Sequence, residues 1–123
     1  MNSKTNRSQT HVSKDDIKAG LVKLGLKRGD NVGVHSSLSS FGVVDGGVDT
    51  VIDALLEVVR NEGTIVTPTY STNRIEVGRT PDEAAAGVTW KFKLLPYDPK
   101  ETSCWTGAIP EAFRKRKGVL RSL

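Results

Sequence analysis

Apolar residues recur at spacings of three and four over two stretches of the chain. In the first, Ile17, Leu21 and Leu24 fall on one helical face. Ser13 precedes them as a cap, Asp15 and Asp16 occupy the first turn where the helix dipole favours anions, and Gly25 supplies a stop. In the second, Val48, Val51, Ile52, Leu55, Leu56 and Val59 make the strongest amphipathic pattern of the sequence, and Asn61-Glu62-Gly63 ends it. Between the two, Asn31-Val32-Gly33-Val34-His35 reads as a short buried strand. After the second helix, Thr64-Ile65-Val66-Thr67 reads as another, closed by Pro68. This order predicts a βαβ-type core whose parallel strands are joined by a right-handed crossover.

The remaining segments lack such a period. Residues 1–12 are polar and read as a disordered lead, so the folded domain is expected over residues 13–123. Residues 36–47 carry four serines and read as a loop. Residues 71–105 hold Pro81, Pro96 and Pro99 with few apolar positions, and read as irregular chain apart from one helical turn over Asp82–Ala86. A last helix is predicted from Gly107 to about Lys117, with Pro110 in its first turn, where a missing N–H costs nothing.

Charge changes the picture at one end only. The chain has 123 residues and a formal net charge of +4. Arg114, Lys115, Arg116, Lys117 and Arg121 form an acid-free basic tail, and the rest of the chain is close to neutral. Such a run suits the solvated face of a helix or a polyanion. No aromatic residue interleaves with it, which argues against single-stranded nucleic acid. One cysteine, Cys104, excludes an internal disulfide and a multi-cysteine zinc site. No apolar run approaches the roughly 20 residues of a membrane helix, and the N-terminus has no apolar signal region.

The candidate chemistry lies in the loop after the first strand, Val34-His35-Ser36-Ser37-Leu38-Ser39-Ser40-Phe41-Gly42, followed by Gly46 and Gly47. A strand running through hydroxylic and small residues into a helix start suits an anion, because backbone N–H groups and hydroxyls converge there. It is neither a P-loop nor a GxGxxG fingerprint, and a plain strand-to-helix connection explains it equally well.

The string VHSSLSSFG…GG…TVIDALLEVV…GTIVTPTY resembles the N-terminal half of the aminoglycoside 3-N-acetyltransferase family. A second block, Asp98-Pro99…Thr102-Ser103…Thr106-Gly107-Ala108-Ile109-Pro110-Glu111-Ala112-Phe113-Arg114…Arg121-Ser122, is similar to the same family, in the same order. The resemblance implies a three-layer α/β/α acetyltransferase fold, here incomplete. It also implies acetyl transfer from acetyl-CoA to an amine of an aminoglycoside, in the cytoplasm, without a metal, a membrane or nucleic acid. Carried over by position, His35, Ser36, Ser37, Leu38, Ser39, Ser40, Phe41, Gly42, Gly46, Gly47, Arg121 and Ser122 would hold CoA. Thr69 and Tyr70 would lie near the acceptor. The family's general base has no match here and is expected beyond Leu123. The resemblance therefore implies an inactive or weakly active N-terminal portion that forms an oligomer or joins a complementing C-terminal half. A CoA-binding fragment without catalysis, or a polyanion-binding module working through the tail, is the alternative.

Each single residue also has a plainer reading. His35 lacks a neighbouring carboxylate to orient it as a base. Asp45 and Asp49 suit helix capping, and Glu111 suits a helix first turn. Cys104 suits a free thiol. Trp90, Trp105 and Phe113 suit packing, and Phe41 suits either core or cofactor.

Overall fold

The computed structural model describes residues 10–71 and 73–122. The lead over residues 1–9 and the final Leu123 lie outside the described residues.

Residues 10–12 are not loose chain. His11–Val12 form a strand, β1, paired in parallel with β3 (Val43–Val44), with Val12 opposite Val44. The Asp45 N–H donates to the Val12 carbonyl at 2.9 Å, and the His11 ring pairs with the Asp45 carboxylate at 3.0 Å. Both strands are two residues long, too short for a period to register in the sequence.

Helix α1 (Lys14–Lys23) starts as its sequence directs. Ser13 Oγ accepts from the Asp16 N–H, and the Asp16 carboxylate accepts from the Ser13 N–H, a reciprocal box that satisfies two orphan donors. The same contact holds the Asp16 carboxyl below its ordinary pKa. The helix ends in a Schellman turn: Gly25 takes φ 102°, its N–H reaches the Val22 carbonyl, and Leu26 N–H reaches Leu21. This reversal corrects the expected apolar face. Leu24 is 87% exposed, and Leu26 packs against the core in its place.

Helix α2 (Val48–Val59) is the centre of the molecule. Val51, Ile52, Ala54, Leu55, Val58 and Val59 are buried, whereas Leu56 of the expected stripe is exposed. Ile17 of α1, Val44 of β3 and Ile109 of α4 (Ala108–Arg114) complete the core cluster around it. Strands β2 (Asn31–Gly33) and β4 (Thr64–Val66) flank α2 in sequence and pair in parallel, with Val32 opposite Ile65. The predicted βαβ unit is therefore present. The strands are shorter and less buried than expected, and Val66 on the outer face is 62% exposed. The helices thus cover one side of this pair, and the described residues leave Val66 bare on the other.

Two expected loops hold regular structure. Leu38–Phe41 form a 3-10 turn that leads into β3. Within residues 71–105, β5 (Arg74–Glu76) and β6 (Phe92–Leu94) pair antiparallel around α3 (Pro81–Ala85), a short helix boxed by Thr80 and Glu83. All six strand residues are exposed, so no buried face imprinted a pattern. Helix α4 stops at Arg114, short of the expected Lys117, and the chain turns through Gly118 at φ 84°.

Candidate functional site

Parallel strands deliver their following loops to the same side of a sheet, the usual place for a ligand in α/β folds. Here the carboxyl ends of β2 and β4 do so. Val34 N–H extends the pairing to the Val66 carbonyl at 2.8 Å, and Thr67 Oγ1 donates to the Val34 carbonyl at 3.0 Å. Beyond that point the two chains diverge and leave a cleft. His35 and Ser36 line one wall, Pro68 and Tyr70 the other, and Trp105 and Thr106 close the third side. A second hollow continues from it past Ser37, Leu38, Ser39 and Gly42, sharing Ser36, Trp105 and Thr106.

The third wall comes from the segment before α4, which has no regular structure of its own. Three hydrogen bonds fix it. Thr106 Oγ1 donates to the Pro68 carbonyl at 2.6 Å, and the Trp105 N–H donates to the Tyr70 carbonyl at 2.9 Å. The Cys104 N–H donates to Glu111 Oε2 at 2.8 Å. Gly107, which follows, adopts φ 128°, a backbone state that L side chains rarely take.

Glu111 is not a helix-dipole residue alone. Its carboxylate accepts from Cys104 N–H, from Arg114 Nε at 2.8 Å and from Arg114 Nη2. The Arg114 side chain is only 3% exposed, and it also donates to the Lys100 carbonyl. The Arg114 guanidinium, then the Cys104 N–H, hold the Glu111 carboxyl far below the usual carboxylate range. The same pairing raises the Arg114 pKa.

Only part of the sequence-predicted set converges. His35, Ser36, Ser37, Leu38, Ser39, Gly42 and Tyr70 meet in the cleft. Phe41 packs against the core, and Ser40 does not line the cleft. Gly46 and Gly47 sit at the start of α2. A Cβ on Gly46 would strike Thr50 Oγ1, whose hydroxyl caps the Asp45 carbonyl at 2.7 Å, so this glycine serves the turn itself. Gly47 is the cap of α2, and no side chain caps that helix. The expected capping by Asp45 and Asp49 is therefore replaced by pairing: Asp45 with His11, Asp49 with Arg116. Thr69 turns away from the cleft to accept from Arg121 Nε at 3.1 Å, and its carbonyl accepts from Arg121 Nη2 at 2.7 Å. Arg121 lines a different cavity, beside β4 and the tail, and Ser122 gives its carbonyl to the Tyr97 hydroxyl.

The basic tail is thus spent largely inside the molecule. Arg114 pairs with Glu111, Arg116 with Asp53 at 2.7 Å and Asp49 at 3.1 Å, and Arg121 donates to the Thr69, Pro99 and Thr102 carbonyls. Trp105 departs from its packing reading. It is 66% exposed and faces Tyr70, itself 65% exposed, with ring centroids 6.1 Å apart. Nothing in the sequence separated Trp105 from a core tryptophan, since its placement depends on hydrogen bonds to distant backbone. Phe113, by contrast, packs on the core, and Trp90 stacks on Phe92 beneath Arg74.

Among the described residues the lining of the cleft carries no lysine, arginine or carboxylate, and His35 supplies an imidazole. One polar atom stands out. Ser36 Oγ is buried with no hydrogen-bond partner. A buried hydroxyl without a partner is uncommon and marks a place where a ligand or water completes the bonding. Serine and threonine residues, apolar side chains and two aromatic rings without fixed charge suit a neutral, amide-bearing chain such as pantetheine. They do not by themselves neutralise phosphates.

The family model for aminoglycoside 3-N-acetyltransferase matches residues 34–123. The chain is 56% identical over 117 residues to the SPbeta prophage-derived aminoglycoside N(3')-acetyltransferase-like protein YokD of Bacillus subtilis, covering 89% of this chain and 42% of that protein. It is 36% identical over 123 residues to aminoglycoside N(3)-acetyltransferase IX of Micromonospora chalcea, covering 95% and 42%. Among solved structures it is similar to AAC-IIIb in a binary complex with CoASH, with a TM-score of 0.72 and 29% identity over 92% of this chain and 42% of that one. The chain thus spans about two fifths of the length of the relatives it matches. No helix among the described residues is long and apolar enough to cross a membrane.

Proposed function

We propose, for a chain that belongs to the aminoglycoside 3-N-acetyltransferase family, that the cleft at the carboxyl ends of β2 and β4 receives the pantetheine arm of acetyl-CoA. The reaction it serves is acetyl transfer to an amine of an aminoglycoside. The observation that carries this reading is Ser36, a residue shared by the two hollows whose Oγ is buried and unpartnered. A pantetheine amide there would supply the missing hydrogen bond.

In this reading Ser36, Ser37, Ser39 and Gly42 line the arm, and Tyr70 stands toward the acceptor. Gly46 and Gly47 act by shaping the start of α2, Arg121 by gripping Thr69, and Ser122 by holding Tyr97. When bound, acetyl-CoA supplies the activated thioester. The acceptor ammonium must lose a proton before it attacks. Among the described residues no carboxylate lines the cleft, and its side chains are assigned binding and orienting roles. The site of action is the cytoplasm, where acetyl-CoA is made and used. Further polypeptide, a second copy or a complementing half, covers the bare Val66 and Leu120.

Calorimetric titration of CoA tests the reading. Saturable binding is expected, weakened roughly three- to tenfold by Ser36→Ala through loss of one hydrogen bond. Binding unaffected by Ser36→Ala, or no heat at millimolar CoA, contradicts it. Acetylation of kanamycin-like amines by this chain alone is expected to be negligible.

A further inference from the structure

The block from Thr106 to Arg114 contains one charged side chain that reaches back to the cleft wall. Glu111 Oε2 accepts the Cys104 N–H at 2.8 Å, one residue before Trp105. The carboxylate is clamped in turn by Arg114, through Nε at 2.8 Å and through Nη2. Arg114 is buried and also donates to the Lys100 carbonyl, so both ends of the 100–104 stretch are fastened to α4. On the far side, Trp105 N–H and Thr106 Oγ1 fasten the same segment to the Tyr70 and Pro68 carbonyls.

We infer that Glu111 is a positioning residue of the cleft: its carboxylate, held by Arg114, fixes the Cys104–Thr106 wall at the separation from Ser36 that a pantetheine arm requires. The inference rests on the CoA reading of the cleft. A segment with no helix or strand hydrogen bonds of its own has few other means of holding still. Withdrawing the Glu111 acceptor leaves the Cys104 N–H unpaired and loosens the wall there, while the Pro68 and Tyr70 anchors and the Arg121 bond to the Thr102 carbonyl remain. A site whose supporting contacts loosen by an ångström loses much of its binding.

Glu111→Asp and Glu111→Gln separate this role from general stability. Asp keeps the charge but retracts the acceptor by one methylene. Gln keeps an acceptor oxygen within reach of the Cys104 N–H, loses the charge and presents an N–H in place of the second acceptor to Arg114. Val59→Ala lowers stability from within α2, away from the cleft. In each, CoA affinity is read by calorimetry, and the steady-state anisotropy of Trp105 is read in a Trp90→Phe background. The expected result is an affinity loss of roughly tenfold in Glu111→Asp, as for a charge-assisted hydrogen bond, with lowered Trp105 anisotropy. Glu111→Gln stays within about threefold of wild type, the size of a weak hydrogen bond's contribution. Val59→Ala changes neither reading at a temperature where it is folded. Wild-type affinity and anisotropy in Glu111→Asp overturn the inference, as does an equal loss in Val59→Ala at matched melting temperature. If the wild-type chain binds no CoA, the CoA reading fails. Anisotropy then still decides whether Glu111 holds the wall.

Discussion

The Trp105 N–H donates to the Tyr70 carbonyl at 2.9 Å, and the two rings face each other with centroids 6.1 Å apart. One backbone bond thus joins the end of β4 to a stretch without secondary structure, across 35 residues of chain. The pair forms an exposed aromatic wall on a cleft otherwise lined by hydroxyl-bearing residues such as Ser36 and Thr106 and apolar ones such as Val34 and Pro110. Because Trp105 is two-thirds exposed, Trp105→Ala is expected to change stability by less than about 1 kcal/mol. It should abolish most of the tryptophan fluorescence change on CoA addition. Chemical denaturation and a fluorescence titration check both halves.

The pair of part-exposed Glu111 and buried Arg114 sets an acid limit on stability. Glu111 is held below its ordinary value of 4.5 by Arg114 and the Cys104 N–H. A carboxyl depressed in the folded state contributes stability that is full above the unfolded pKa and is lost as pH falls through the folded one. Stability should therefore fall from about pH 4.5 downward, and Glu111→Gln should flatten that limb. At neutral pH, Arg114→Ala should cost about 1–3 kcal/mol, because it removes the main partner of Glu111 and leaves only Lys115, at 3.4 Å, and the Cys104 N–H. Urea melts across pH check the sign and the slope.

Gly46 stands at φ 84°, with Thr50 Oγ1 in the space a methyl group would take. Gly46→Ala should destabilise by about 1–3 kcal/mol, from the positive φ and the clash together. Gly47, at φ 71° with open space around it, should lose less on the same change. Thermal melts of the two variants rank them.

Ile52 is 1% exposed at the centre of the core cluster. Ile52→Ala should cost about 2–5 kcal/mol, which for a domain of this size is a large share of the total. Leu56→Ala, on the exposed flank of the same helix, should cost far less, and paired denaturation curves show the difference.

What the sequence revealed depends on whether burial wrote a pattern into it. Ile52, Leu55 and Val59 recur because α2 packs on several elements at once, and Ser13 with Asp16 form their box within four residues. The hairpin of Ile75 and Lys93 was not legible, because neither strand has a buried face. Strand β1 was not legible either, because two residues carry no period. The cleft was half legible. The serines after β2 announced it, but Trp105 and Thr106 reach it through bonds to Tyr70 and Pro68, which no local spacing encodes. Arg116 of the basic tail read as surface because its partners Asp49 and Asp53 lie more than 60 residues away.

The central claim is that CoA occupies the cleft between the β2 loop and the segment before α4. Amide hydrogen exchange with and without CoA, resolved to short peptides, tests it most directly. The expected result is protection over residues 34–39 and 104–107, with little change over 114–121. Protection confined to the basic tail over 114–121, or none anywhere at saturating CoA, would contradict it.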